Sequence, residues 1–304
     1  MYDVIIIGAG PAGLTAAIYA RRANKSALII EKGAFGGQIS YSPRLENYPG
    51  FETVSGTEFA DKLVSHALSF GTEVEIGTVT EIVDGAEYKT VKTEDGATYE
   101  GKTVIIACGA KHRTLGLPNE DRFIGEGISF CAVCDGAFYA DKEVILVGGG
   151  NSALQEAVLL SETCKKVTVV QNLDFLTGEQ KLQDILAQKE NVQIILGTVV
   201  SSILDTPAFS GVTVEKVATG EKSTLKADGM FVAIGLVPEN GAFADLAELD
   251  APGYIVADER CLTKTPGVFV AGDCRTKAVR QVATAIADGA VSALAACRFI
   301  DNAK

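Results

Sequence analysis

The strongest constraint on the fold is a unit that occurs twice. Val4-Ile5-Ile6-Ile7 is a continuous apolar run, as a strand covered on both faces must be. It leads directly into Gly8-Ala9-Gly10-Pro11-Ala12-Gly13 and then into the helix-like Leu14 to Arg21. A second strand, Ser26 to Ile30, ends at Glu31. Far downstream, Val144-Ile145-Leu146-Val147 leads into Gly148-Gly149-Gly150-Asn151-Ser152-Ala153, with Lys166 to Val170 as its second strand. Gly8 matches Gly148, Gly10 matches Gly150, and Gly13 matches Ala153, which is still small. In such a unit the first glycine makes the tight turn, the second admits a pyrophosphate to the backbone, and the third lets helix and strand pack closely. The expected fold is α/β: two Rossmann-like three-layer dinucleotide-binding domains, the second inserted in the first, each with an added antiparallel meander.

The copies differ at one informative position. Glu31 offers a carboxylate to ribose hydroxyls, whereas its counterpart Gln171 carries no charge. Asn172 and Leu173 supply no cation for a 2′-phosphate either. The second unit is therefore a poor advertisement for NAD or NADP.

Between the repeats, a helix is expected from about Thr57 to Phe70, with Phe59, Leu63, Ala67 and Phe70 on its apolar face. Residues 73–107 alternate apolar and polar side chains around Gly77, Gly85, Gly96 and Gly101, the pattern of an antiparallel meander, and residues 192–235 read similarly. Gly36-Gly37-Gln38 and Glu46 to Phe51 read as loops. Val268 to Val270 is a buried strand ending in Ala271-Gly272-Asp273-Cys274, with a helix expected from Val279 to about Phe299. Asp273 is placed there to bind a polyol or phosphate, or to cap the helix.

Ahead of the second glycine turn lies Ser129-Phe130-Cys131-Ala132-Val133-Cys134-Asp135-Gly136. Two cysteines separated by two residues can close a disulfide and reopen it, and Asp135 is placed to manage the proton that thiolate chemistry requires. The other readings are a zinc half-site or two structural cysteines. Zinc needs four ligands, and the chain has no second close Cys pair and only two isolated histidines, His66 and His112. Redox chemistry is the favoured reading. Cys108, Cys164, Cys261, Cys274 and Cys297 have no partner spacing and read as structural.

The 27 basic and 39 acidic residues give a net charge of −12, which argues against nucleic acid or an anionic membrane as partner. No apolar run approaches the roughly 18 residues of a spanning helix. Met1-Tyr2-Asp3 runs into a strand without a basic leader, and seven scattered cysteines suit a reducing compartment. A soluble, cytoplasmic protein is expected.

Together these motifs resemble the low-molecular-weight thioredoxin reductases of bacteria, from Gly8–Gly13 through Cys131-Ala132-Val133-Cys134-Asp135 to Ala271-Gly272-Asp273. The resemblance implies a flavin-dependent oxidoreductase that reduces thioredoxin, with a split FAD domain over 1–112 and 241–304. Residues 113–240 would form an inserted NAD(P)-type domain carrying the cysteine pair, and the chain would be a homodimer. FAD would be contacted by Gly8, Gly10, Pro11, Ala12, Gly13, Glu31, Gly37, Gln38, Asn47, Gly272, Asp273, Arg280 and Gln281. Gly148, Gly150, Asn151 and Ser152 would serve a second nucleotide. Cys134 would face the flavin, Cys131 would attack the thioredoxin disulfide, and Asp135 would protonate the departing thiolate.

One departure from the family pattern bears on the electron donor. NADPH-using members carry His-Arg-Arg-x-x-x-Arg after the second unit's second strand, where this chain reads Gln171-Asn172-Leu173-Asp174-Phe175-Leu176-Thr177. Losing those arginines weakens NADPH by several kcal/mol, at about 1.5–3 per charge-assisted bond. Members from anaerobic bacteria that lack the motif draw electrons from reduced ferredoxin. The expected donor is thus reduced ferredoxin or NADH, with NADPH weak. The alternatives are an NADPH-dependent thioredoxin reductase with an atypical 2′-phosphate site, or a flavoprotein reductase or redox sensor with another protein acceptor.

Overall fold

The structure is a computed structural model. It describes the chain apart from residues 42–44, 46–47, 206–207 and 304, and apart from the side chains of residues 133, 134 and 205. In chain order the first elements are β1 (Tyr2–Ile7), α1 (Pro11–Arg22), β2 (Ala27–Glu31), α2 (Gly56–Ser69) and β3 (Glu73–Ile76). Then come β4 (Val79–Asp84), β5 (Lys89–Thr93), β6 (Thr98–Ile106) and β7 (Ala110–His112). The middle of the chain holds α3 (Glu120–Phe123), β8 (Ile128–Ser129), α4 (Ala132–Asp135), β9 (Glu143–Val147), α5 (Asn151–Thr163) and β10 (Lys166–Val170). It continues through α6 (Gln180–Ala187), β11 (Val192–Ile195), β12 (Thr198–Asp205), β13 (Phe209–Lys216) and β14 (Lys222–Lys226). The last elements are β15 (Gly229–Val232), β16 (Leu236–Pro238), β17 (Val268–Val270) and α7 (Val282–Asn302). The chain divides into two compact units, Met1–Lys111 with Val237–Lys304, and His112–Leu236.

The first unit is built on a seven-stranded sheet of order β3-β2-β1-β6-β5-β4, with β17 also pairing β6. Strands β3, β2, β1, β6 and β17 run parallel, whereas β4, β5 and the start of β6 form an antiparallel meander. The apolar run of β1 explains the layering. Val4 and Ile6 enter a core with α1 and α7, while Ile5 and Ile7 enter a second core with Ile82 and Val91 of the meander. Each of these fully buried side chains stabilises the fold by about 1.5–3 kcal/mol.

The second unit repeats the plan. A parallel sheet of order β11-β10-β9-β15-β8 has Val144 and Leu146 against Leu154, Ala157 and Leu160 of α5. Ile145 and Val147 face Val212 and Val214 of a separate antiparallel sheet, β12-β13-β14.

Three local expectations change. Residues 73–107 are not one meander: β3 joins the parallel sheet beside β2. All four of its residues are exposed, so its alternation carried no information about strand direction. Likewise β11 and β15 at the ends of 192–235 belong to the parallel sheet. Third, α7 is apolar and long enough at 21 residues to cross a membrane by length and composition, contrary to the reading of the sequence. It packs instead on α1, so closely that a Cβ on Gly289 would sit 2.2 Å from the carbonyl oxygen of Ala12. It also buries the polar Asp288 and Ser292.

Candidate functional site

In the first unit the glycine turn is held by short backbone contacts. The N–H of Gly8 donates to Ile30 at 2.8 Å, and Gly10 is the N-cap of α1 with Pro11 at its first position. Gly13 packs so tightly that a Cβ there would lie 1.9 Å from the carbonyl oxygen of Gly8, so helix and strand meet only because this side chain is absent. Gly37, with φ +64°, brings the Gly37–Tyr41 turn, which includes Gln38, against Gly10, and a Cβ on it would approach the Gly10 Cα to 3.1 Å. Gly272 lies on the other side, its missing Cβ 2.9 Å from that of Ala12. Gly8, Gly10, Pro11, Ala12, Gly13, Gly37, Gln38 and Gly272 thus form one backbone-lined cradle.

Two carboxylates stand at this cradle. Glu31 is fixed at the end of β2 by the N–H groups of Ala9 at 2.6 Å and Gly33 at 2.8 Å. Asp273 occupies the short turn after β17, and its buried Oδ1 has no hydrogen-bond partner among the described residues. Burial pushes the Asp273 carboxyl up, against the pull of the Lys277 and Arg280 charges. A buried acceptor left unpaired costs about 1–3 kcal/mol, and a ligand hydroxyl would remove that cost. The backbone cradle, the fixed Glu31 and the unpaired Asp273 fit the pyrophosphate and polyol of a dinucleotide.

Other first-unit candidates are occupied differently from the expectation. Arg280 turns back to the carbonyl oxygens of Asp273, Arg275 and Lys277 and stacks 3.9 Å from the centre of the Tyr254 ring. It holds the loop that carries Asp273. Gln281 is the N-cap of α7, in a reciprocal capping arrangement with Thr284. Because α7 starts at Val282, Asp273 does not cap it. Asn47 lies outside the described residues.

The sequence reading missed what stands behind this turn. Asp288 of α7, 6% exposed, accepts from the N–H of Gly272 at 3.0 Å, from Arg275 Nε and Nη2 at 2.9 and 2.7 Å, and from Lys277 Nζ at 2.8 Å. Arg275 and Lys277 are 2% and 5% exposed. An aspartate in an apolar helix preceded by Arg275-Thr276-Lys277 was the available signal. Nor did spacing disclose that the thiols of Cys108 and Cys274 contact each other, both being free.

In the second unit Cys131 is disulfide-bonded. It stands directly before α4, and Ser129 organises its surroundings: Ser129 Oγ donates to Asp135 Oδ2 at 2.5 Å and accepts from the N–H of Cys131 at 3.1 Å. The N–H of Asp135 donates to the carbonyl of Cys131 at 3.1 Å. Asp135 is therefore tied to the segment that carries Cys131. The Cys134 side chain lies outside the described residues. Phe130 stacks on His112 at 5.4 Å, and burial lowers the His112 pKa.

The second glycine turn repeats the first in its backbone. The N–H of Gly148 donates to Val170 at 2.9 Å, and Gly150 is the N-cap of α5. Its side chains differ. Asn151 exchanges hydrogen bonds with Glu179, its Nδ2 donating to Oε1 at 3.0 Å and its Oδ1 accepting from the N–H at 2.6 Å. Ser152 is exposed. Gln171 is 6% exposed and packs on Gly149, where a Cβ would meet its amide carbon at 2.6 Å. Its Nε2 donates to the carbonyl of Phe175 at 3.4 Å. Beyond it Leu173 and Phe175 are exposed.

The comparisons with known proteins agree with this geometry. The family model described as pyridine nucleotide-disulphide oxidoreductase matches residues 2–289. A thioredoxin reductase of Listeria monocytogenes is 44% identical over 305 residues, covering 100% of this chain and 95% of its own. One from Bacillus subtilis is 43% identical over 99% of this chain and 96% of its own. The crystal structure of Lactococcus lactis thioredoxin reductase in its FR conformation superposes with a TM-score of 0.87 at 38% identity, covering 99% of this chain and 100% of that one. With a family match over nearly its whole length, the chain belongs to the pyridine nucleotide-disulphide oxidoreductase family.

Proposed function

We propose that this protein is an FAD-dependent disulfide reductase that passes electrons through Cys131 and Cys134 to thioredoxin, and that its donor is not NADPH. The observation that carries the reading is the disulfide at Cys131, set beside a carboxyl that Ser129 and the chain itself hold in place. FAD would lie in the first unit on the Gly8–Gly13 turn, with Glu31 and Asp273 as acceptors for its hydroxyls. When bound, it supplies a two-electron carrier able to reduce a disulfide.

The remaining steps belong to this chain's own side chains. Once the disulfide is open, Cys131 attacks the disulfide of thioredoxin, giving a mixed disulfide, and Cys134 resolves it. Asp135 gives a proton to the thiolate that departs, with Ser129 keeping its carboxyl oriented. The reading also includes the division of labour between a FAD domain (1–112 with 241–304) and a domain inserted between them, a homodimer, and a cytoplasmic setting.

The second unit bears on the electron donor. The segment 171–177 holds no basic residue, and Gln171 is spent on Phe175 rather than free for a ribose. Reduced ferredoxin is favoured over NADH, because no carboxylate stands where NADH enzymes place one. The test is anaerobic flavin reduction by NADPH, NADH and reduced ferredoxin in turn, followed by turnover with thioredoxin disulfide. Rapid reduction by micromolar NADPH at a rate matching turnover would overturn the donor assignment. A reduced flavin that thioredoxin disulfide fails to reoxidise would overturn the acceptor.

A further inference from the structure

The buried carboxyl of Glu156 has no role in the chemistry above, yet it lies beside the redox segment. Glu156 sits on α5, which packs against α4 and the Gly136–Tyr139 turn that follows it. Its carboxyl accepts a hydrogen bond from the backbone N–H of Ala132, the residue directly after Cys131 and the first of α4. Its Oε2 is buried and has no partner among the described residues. Elements packed on α5 carry Asp135, Tyr139, Glu143, Lys166, Lys181 and Asp184, besides Cys134 on α4. None of the described side chains among these acts on Glu156: burial raises its pKa to about 7, and among the described groups the Ala132 N–H alone opposes that rise. A carboxyl with one fixed donor, one unsatisfied oxygen and, among the described residues, no neighbouring cation is poised to change its protonation state near neutral pH.

We propose that Glu156, held beside the redox segment by the Ala132 N–H, is a proton-holding positioning residue for the dithiol, its carboxylate taking up a proton when the Cys131 disulfide is reduced and releasing it on reoxidation. The proposal rests on the disulfide chemistry above, not on the identity of donor or acceptor. Reduction adds two electrons and breaks the S–S bond. Two protons enter with them: one goes to one sulfur and one to the Glu156 carboxylate. The second sulfur stays a thiolate, the form that attacks a disulfide. The total charge is unchanged, since one carboxylate is exchanged for one thiolate. The new thiolate favours this outcome, because a nearby negative charge raises the proton affinity of a carboxylate.

The test is the net proton exchange with the medium on reduction by one equivalent of dithiothreitol, which itself gives up two thiol protons, followed with a pH indicator in weak buffer. At pH 7.5 Glu156 is mostly ionised in the oxidised protein, so wild type should take up about one proton more per disulfide than Glu156→Gln. Glu156→Asp should recover the extra proton with its pH dependence displaced, an effect that a purely structural residue would not produce. Reduced-minus-oxidised infrared spectra of wild type should gain a protonated-carboxyl band that shifts in D2O, and this readout stands even if Glu156→Gln does not fold. Equal uptake in wild type and Glu156→Gln, or no gained carboxyl band, overturns the proposal. A protein that passes these tests but reduces no thioredoxin would keep Glu156 in this role and lose the acceptor proposed above. A disulfide that dithiothreitol cannot open would overturn both.

Discussion

Replacing Asp288 with asparagine tests how the Asp273 turn is held. The substitution keeps the shape of the side chain and removes its charge. Arg275 and Lys277, 2% and 5% exposed, would then be two buried cations without their counter-ion. Summing four charge-assisted hydrogen bonds at about 1.5–3 kcal/mol each overestimates the loss, because desolvation was already spent against them. Breaking a buried pair by removing one partner costs about 3–5 kcal/mol, and that figure governs here. Glu259 lies 3.4 Å from Arg275 but is 91% exposed, so it offsets at most about 1 kcal/mol. Thermal unfolding of the flavin-free protein should therefore shift down by roughly 10 °C, at about 2–4 °C per kcal/mol for units of this size.

The same variant leaves one neutral acceptor oxygen for the four donors, so the hydrogen bond from the N–H of Gly272 weakens and the turn before Asp273 loosens. FAD affinity, followed by quenching of flavin fluorescence, should fall about fivefold for a loss of about 1 kcal/mol. The pH dependence gives an independent check. Burial works to raise the Asp288 pKa, but the hydrogen bonds from Arg275 and Lys277 outweigh it and hold the carboxyl below the ordinary aspartate value. Its contribution is therefore complete above pH 3.8 and lost as pH falls through the lower, folded value, and the variant should lack that part of the acid limb. A variant as stable as wild type within about 1 kcal/mol, with unchanged FAD affinity, would refute this account of the network.

Further outcomes follow from the same geometry. The Cys131→Ser, Cys134→Ser double variant should bind FAD normally and reduce no thioredoxin, and substantial turnover would sink the assignment. Asp135→Asn should slow dithiol exchange by roughly 10²-fold or more, as for loss of a general acid, and an unchanged rate in stopped-flow reoxidation would demote it to a structural role. Glu156→Gln should be more stable than wild type at pH 8 by up to about 3 kcal/mol, at 1.36 kcal/mol per unit of pKa shift, and no more stable at pH 4. The sign follows because the folded protein holds the proton more tightly than the unfolded chain, so wild type loses stability as pH rises from 4.5 through about 7; urea unfolding at the two pH values reads it directly.

The sequence by itself determined the features written in contiguous residues. Two strand–glycine–helix units, a Cys-x-x-Cys-Asp segment and a strand ending at Asp273 each lie within a few residues of chain, where backbone geometry dictates residue type. Gly13 is an example, since a carbonyl oxygen occupies the place of its side chain. Tertiary structure alone decided the direction of β3, whose exposed side chains carry no such signal. It alone turned Arg280, which the family resemblance gives to FAD, toward the backbone, and it alone turned Gln171 toward Phe175. It also brought Asp288 behind the Asp273 turn, Cys108 against Cys274, and Glu156 beneath Ala132. Those partners come from distant segments, and a long-range contact leaves no spacing pattern in the chain. The protonation of a buried carboxyl depends on the water excluded around it, which only the packed fold fixes.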